Sequence, residues 1–216
     1  MTRTDTTAGD LRSTFFMDLA APAVQAFADR VVGAATAPEE VAGLIFRAVR
    51  DEIRYDPHHL PTDPAAYRAS AVLAAGTGYC VPKAVVLVAV ARHCGIPARL
   101  GFSDVRNHLQ SERLAAAMGS DLFLYHGYAV LHLNGQWLKA SPAFNRELCE
   151  RVGVTPLEFD GSHDALLHPF DATGSRYMEY VRDHGTFDDL PLRRILDTYA
   201  RAYPGLSMGP GVERPG

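Results

Sequence analysis

Cys80 is the residue whose surroundings point most directly to chemistry. It closes the turn-forming segment Gly76-Thr77-Gly78-Tyr79 and opens an apolar run beginning Val81-Pro82-Lys83. Pro82 suits the first turn of a helix, where its missing N–H costs nothing, and Gly95 with Pro97 beyond it marks the helix end. The unpaired N–H groups and the positive dipole end of a helix start stabilise negative charge, so a thiol placed there is expected to ionise readily and act as a nucleophile. Val85 through Val90 are apolar on nearly every face, which suits a helix in the middle of a domain. The plainer reading of Cys80 is a small buried hydrophobe, as free cysteines usually are. Gly76 and Gly78, which allow close backbone approach, favour the reactive thiol.

A nucleophilic thiol needs a base, and Tyr125 to Leu133 offers one. The segment alternates before Asn134-Gly135 and reads as a strand entering a hairpin turn. Its partner is Gln136 to Ala140, which carries the only tryptophan, Trp137, and is ended by Ser141-Pro142. His126, Tyr128, Val130 and His132 share one strand face, but at roughly 3.3 Å per residue the two histidines cannot both reach one thiol. His126, at the strand's beginning, is the candidate general base. His132, near the turn, reads as a surface or structural imidazole.

Together these segments resemble the transglutaminase-like superfamily, whose papain-like core carries a Cys-His-Asp triad. The resemblance spans about residues 39 to 145. It runs from a helix and strand in Glu39 to Tyr55, through Gly78-Tyr79-Cys80 and Arg92-His93-Cys94-Gly95-Ile96-Pro97-Ala98-Arg99, to the hairpin from His126 past Trp137 to Ser141-Pro142. It implies an α+β fold with a central Cys-bearing helix packed on an antiparallel sheet, Cys80 as nucleophile and His126 as base. Where family members usually have an aspartate before a proline on the second hairpin strand, this chain has Ser141 before Pro142. Ser141 is the expected partner of His126 by position. Asn145, acting as the amide does in Cys-His-Asn sites, or a carboxylate such as Asp160 from Leu157 to Asp164, are the alternatives. For an oxyanion hole the backbone N–H of Cys80 is the natural donor; Tyr79 is either a second donor or a packing residue.

Composition fits a compact protein: 216 residues, 47% hydrophobic, 21% charged, with a formal charge of -4. There is no basic stripe of the kind nucleic acid requires. The N-terminus lacks the apolar core of a signal peptide, and the run Ala84 to Ala91 is far below the ~20 residues needed to span a bilayer, so no membrane partner is expected. Three cysteines, an odd number, suggest reduced thiols and a cytoplasmic address. Asp160, His163, Asp164 and His168 lie close in sequence, but Asp-Gly and His-Pro are turn punctuation, so no metal and no cofactor are expected.

The chain reads as one domain, 1–216. Helices are expected over Phe15 to Gly33, Pro38 to Ile53 and Ser70 to Ala75, the last capped by Ser70. Residues 146–203 are expected to form a helical or irregular extension, with helices over Arg146 to Gly153, Tyr177 to Asp183 and Pro191 to Tyr203. The tail 204–216, rich in Gly and Pro, is expected to be disordered. The segment between Gly101 and Leu124 is either a wall over the cleft or an ordinary connection.

The expected activity is cysteine-dependent hydrolysis or acyl transfer on an amide bond of a peptide or small amide substrate. The resemblance implies peptidase or amidase action more readily than protein cross-linking. The alternative is a transglutaminase-like scaffold that binds a peptide or protein without turnover. A metal-dependent hydrolase using Cys80 and His126 as ligands is a third reading. The sequence sets no oligomeric state.

Overall fold

The computed structural model describes residues 8–203 and Gly205, apart from 109, 111, 169, 170 and 172. The tail expected to be disordered otherwise lies outside them. In chain order the elements are α1 (Pro22–Val32), α2 (Pro38–Glu52), β1 (Arg54–Tyr55), α3 (Ala69–Ala75), β2 (Thr77–Gly78), α4 (Cys80–His93), β3 (Ala98–Asn107), α5 (Glu112–Met118), β4 (Leu122–Leu133), β5 (Gln136–Ala140), α6 (Arg146–Val152), β6 (Met178–Phe187) and α7 (Leu192–Ala202).

The site is carried by α4 and the sheet it packs on. Every residue of α4 from Cys80 to Arg92 is buried, as its all-round apolar sequence requires. One side lies against β4, and α1, α2 and α3 pack around the rest. The sheet has the order β5-β4-β3-β6 and is antiparallel throughout. The β4–β5 hairpin turns at Asn134 and Gly135, both at positive φ, the geometry an Asn-Gly turn favours. Strand alternation puts Gly127, Ala129 and Leu131 on the buried side of β4, and a Cβ built on Gly127 would lie 3.0 Å from the Cα of Val81. Only glycine lets the strand approach the first turn of α4 so closely.

Three expectations are corrected. Residues 178–187 form strand β6 where Tyr177 to Asp183 were expected to be helical, while the helices expected over Arg146 to Gly153 and Pro191 to Tyr203 form as α6 and α7. The first helix starts only at Pro22, because the residue before a proline is driven out of the helical region, and Ala21 is extended. Ser70 does not cap α3. Arg68 holds that position, and the Ser70 hydroxyl donates to Asp18.

A buried lysine ties the helices to the start of α4. Lys83 Nζ donates to the carbonyls of Arg50, at 2.8 Å, and Ile53, at 2.5 Å, which are orphaned acceptors at the end of α2. Burial pushes its pKa down to about 7. A neutral amine still has two N–H donors, one for each carbonyl. The contact sets where α2 ends and therefore where β1, with Tyr55, runs beside β2. Replacing Lys83 by Met strands both carbonyls and is expected to destabilise the fold by about 1–3 kcal/mol, read as a lower urea midpoint. An unchanged midpoint would show that the two bonds carry no net stability.

Candidate active site

Cys80 is the first residue of α4, preceded by Tyr79 in extended conformation. The approach is fixed by β1 and β2, which pair in parallel with Tyr55 opposite Gly78. Cys80 is 6% exposed. Burial pushes its thiol up to about 11, against the backbone N–H groups of Gly127, Val81 and Cys80 itself, which point to the sulfur and favour the thiolate. The helix start therefore acts on the sulfur as the sequence suggests, but desolvation outweighs it and the resting thiol is neutral.

His126 immediately precedes Gly127 on β4, so the strand whose N–H reaches the sulfur also carries the imidazole. Its Nε2 lies 3.1 Å from Ser141 Oγ, and both residues are buried. With Nε2–H donating to Ser141, the basic nitrogen is Nδ1. Ser141 follows the last residue of β5 and is held by its own N–H, which donates to the Ala165 carbonyl at 2.8 Å. The ring of Tyr180, from β6, meets His126 edge-on at 6.4 Å between centroids. Burial alone pushes the imidazole down to about 4, so it too is neutral at rest.

The other candidates lie elsewhere. Asn145 Oδ1 accepts from the Tyr55 N–H at 3.3 Å, fastening β1 and not the imidazole. Asp160 sits in an exposed turn with Ser162 and His163, and Asp164 accepts from the Lys139 N–H at 2.8 Å. No helix forms over Asp164 and His168, and no group of three or more His, Cys, Asp or Glu among the described residues is arranged to hold a metal ion. His132 packs against Trp137, with ring centroids 5.0 Å apart. The Tyr79 hydroxyl pairs with that of Tyr67 at 3.1 Å, which makes Tyr79 a packing residue.

A narrow cavity of about 40 Å³ opens on Cys80. Its lining includes Tyr55, Met118, Phe123, Leu124, Tyr199 and Tyr203. Met118 ends α5, so part of the connection after β3 does form a wall of the cleft. Tyr203 is anchored to the start of β4: its hydroxyl donates to the Leu122 carbonyl at 2.7 Å and accepts from the Leu124 N–H at 2.6 Å. A larger groove of about 900 Å³ lies beside α7 but touches neither Cys80 nor His126, so the chemistry selects the smaller cavity. Sequence reasoning found α7 but gave it no part in the site, and it passed over Tyr55, which has no motif around it.

One irregularity adjoins His126. Tyr125 has φ +51, unusual for a bulky residue, and the β3–β4 pairing slips between Ser103 and Val105. Asp104 Oδ1 fills the slip, accepting from the Tyr125 N–H at 3.0 Å and lying 2.7 Å from His184 Nε2. The Tyr125 ring stacks on His184 at 4.1 Å, and the Arg194 guanidinium lies 5.7 Å from its centroid.

Residues 25–142, more than half of the chain, match the family described as the transglutaminase-like superfamily. The chain belongs to that superfamily. Solved structures similar to it include a candidate cysteine protease from Cytophaga hutchinsonii, at 14% identity and a TM-score of 0.46, with 82% of this chain and 53% of that one covered. The periplasmic domain of TgpA from Pseudomonas aeruginosa is similar at 20% identity and a TM-score of 0.43, with 62% of this chain and 45% of that one covered. The chain thus spans about half the length of each. No curated protein matches it. As a superfamily member it carries a mixed helix-and-sheet fold. No helix among the described residues is long and apolar enough to cross a membrane.

The state of His126 makes stability depend on acid. Its folded pKa of about 4 lies below the ordinary 6.5, so the folded protein binds fewer protons than the unfolded chain between these values. The stability is fully present above pH 6.5 and is lost as pH falls through 4. Urea unfolding is expected to show about 3 kcal/mol of loss over this window in the parent that is missing in His126→Gln. Parallel pH profiles in the two proteins would contradict a buried neutral imidazole.

Proposed function

We propose that this superfamily member is a cysteine-dependent hydrolase or acyltransferase that opens an amide or peptide-type bond through a thioester on Cys80. The reading is carried by one observation: the imidazole of His126, held by Ser141, sits on the strand residue next to the N–H that reaches the Cys80 sulfur. Both groups rest neutral, so the base acts during attack and not before it. Nδ1 takes the thiol proton as sulfur bonds to the carbonyl carbon and the carbonyl electron pair moves onto oxygen. Collapse breaks the C–N bond, and the leaving amine takes the proton from His126. Water, activated by the same nitrogen, then hydrolyses the thioester; a second amine in its place completes acyl transfer. Among the described residues the cavity beside the sulfur has no charged residue in its lining, which fits a neutral acyl group of a peptide or small amide.

Ser141 supplies the positioning function of a third residue without a negative charge. It orients the imidazole, but it stabilises the imidazolium less than a carboxylate does. That neutral partner is the observation favouring the alternative, a scaffold that binds a peptide without turnover.

p-Nitrophenyl acetate separates the two readings. The enzyme reading expects an acetyl group on Cys80, located by mass spectrometry, and a burst of p-nitrophenolate about a hundred-fold slower in His126→Ala at pH 7. A folded protein that takes up no acetyl group, or whose burst is the same without His126, is a scaffold. Ser141→Ala is expected to slow the burst about ten-fold, the loss of one hydrogen bond to the working base. Ser141→Asp is expected to raise the pKa of His126 and speed the burst, both read against pH. A burst unchanged in both variants would remove Ser141 from the mechanism.

A further inference from the structure

The aromatic cavity holds two polar groups that the mechanism has not used. Four tyrosines, Tyr55, Tyr79, Tyr199 and Tyr203, line the cavity with Cys80, and two of them have their hydroxyls committed: Tyr79 to Tyr67, whose own hydroxyl donates to the Pro61 carbonyl, and Tyr203 to β4. The hydroxyls of Tyr55 and Tyr199 make no hydrogen bond among the described residues. Neither belongs to the buried, unpartnered side-chain atoms sealed from the surface, and both residues line the cavity together with Cys80. A burial-prone hydroxyl left without a partner needs an explanation, since tyrosine hydroxyls usually find one when enclosed.

The scaffold holds the two rings firmly. Tyr55 is fixed by the parallel pairing with Gly78, by its N–H on Asn145, and by edge-on contact with Phe144 at 4.9 Å. Tyr199 is wedged between Tyr79 and Tyr203, at 6.3 and 5.6 Å between centroids. Burial, and next the negative charge of a Cys80 thiolate, hold both phenols protonated well above their ordinary range. They are therefore donors at any ordinary pH, carried by two residues that line the same cavity as Cys80.

We propose that the Tyr55 and Tyr199 hydroxyls are hydrogen-bond donors that, with the backbone N–H of Cys80, hold the oxyanion formed when Cys80 attacks a carbonyl. The inference rests on the acyl-transfer reading and adds to it the groups that stabilise the tetrahedral intermediate. In that step a sulfur–carbon bond forms, the carbonyl electron pair moves to oxygen and the thiol proton goes to His126. The phenols keep their protons and donate only hydrogen bonds. Donors placed in a desolvated site in advance are worth most where charge develops. A tyrosine from β1 and one from α7 would then complete a site whose nucleophile and base lie on α4 and β4.

The test compares two reactions of the same sulfur. p-Nitrophenyl acetate acylates it through an oxyanion, with the C–O bond breaking and p-nitrophenolate leaving. Iodoacetamide alkylates it by displacing iodide, without one. Both rates are measured for the parent, Tyr55→Phe, Tyr199→Phe, the double variant and His126→Ala, with urea midpoints as a check on folding. Each tyrosine variant is expected to lose about ten-fold or more in acylation, and the double variant about a hundred-fold, while alkylation stays within about two-fold. Equal losses in both reactions would mean that the hydroxyls serve packing, and unchanged acylation would mean that they touch no oxyanion; either result overturns the proposal. His126→Ala reports separately. If it alters neither rate, the base assignment fails, while the ratio of acylation to alkylation across the tyrosine variants still decides the role of the hydroxyls.

Discussion

The site depends on the close contact between β4 and the first turn of α4 at Gly127 and Val81. With no side chain at position 127, the strand comes near enough for its N–H to reach the Cys80 sulfur, and the residue before it is His126. Most of the fold serves to hold this contact. The helices α1, α2 and α3 press α4 onto the sheet, Lys83 fixes the end of α2, and the parallel pairing of β1 with β2 leads the chain into Cys80. Widening the gap by the size of one methyl group would move β4, with His126 on it, away from Cys80.

The electrostatics of the site follow from its dryness. Three N–H groups and a helix start favour a thiolate, yet burial leaves thiol and imidazole uncharged. A dry site penalises a standing ion pair and strengthens any hydrogen bond made to charge that appears during reaction. A neutral third residue is consistent with that economy. Ser141 can orient His126 without adding a buried carboxylate that would itself need a partner.

Much of this arrangement is legible in the residues. The cysteine at a helix start, the stop at Gly95 and the Asn134-Gly135 hairpin follow from local pattern, because a helix terminus and a two-residue turn are specified by the residues that form them, whereas Ser141 as the partner of His126 follows only from the resemblance to the superfamily. Strand β6 was not legible. Among the described residues it pairs only with β3 and is half exposed along its length, so its sequence lacks the alternation of a buried strand, and the pairing is decided by distant residues. Tyr55 and Tyr199 meet at the sulfur from positions far apart in the chain, which no spacing announces. The raised thiol pKa was hidden for a similar reason: local sequence displays the helix dipole, while desolvation comes from the whole packed surroundings.

The position of β6 and α7 after β3 and α4 in the chain has a consequence for biosynthesis. Chains emerge from the ribosome N-terminus first, and folding can begin before synthesis is complete. Until residues 178–187 emerge, β3 has an open edge that can pair with another nascent chain. Until residues 192–203 follow, the cavity on Cys80 lacks the wall that Tyr199 and Tyr203 supply, and the thiol faces the translation environment uncovered. Two elements made after β3 and α4 thus shield both the sheet edge and the sulfur, so ribosome stalling within this stretch would expose both at once.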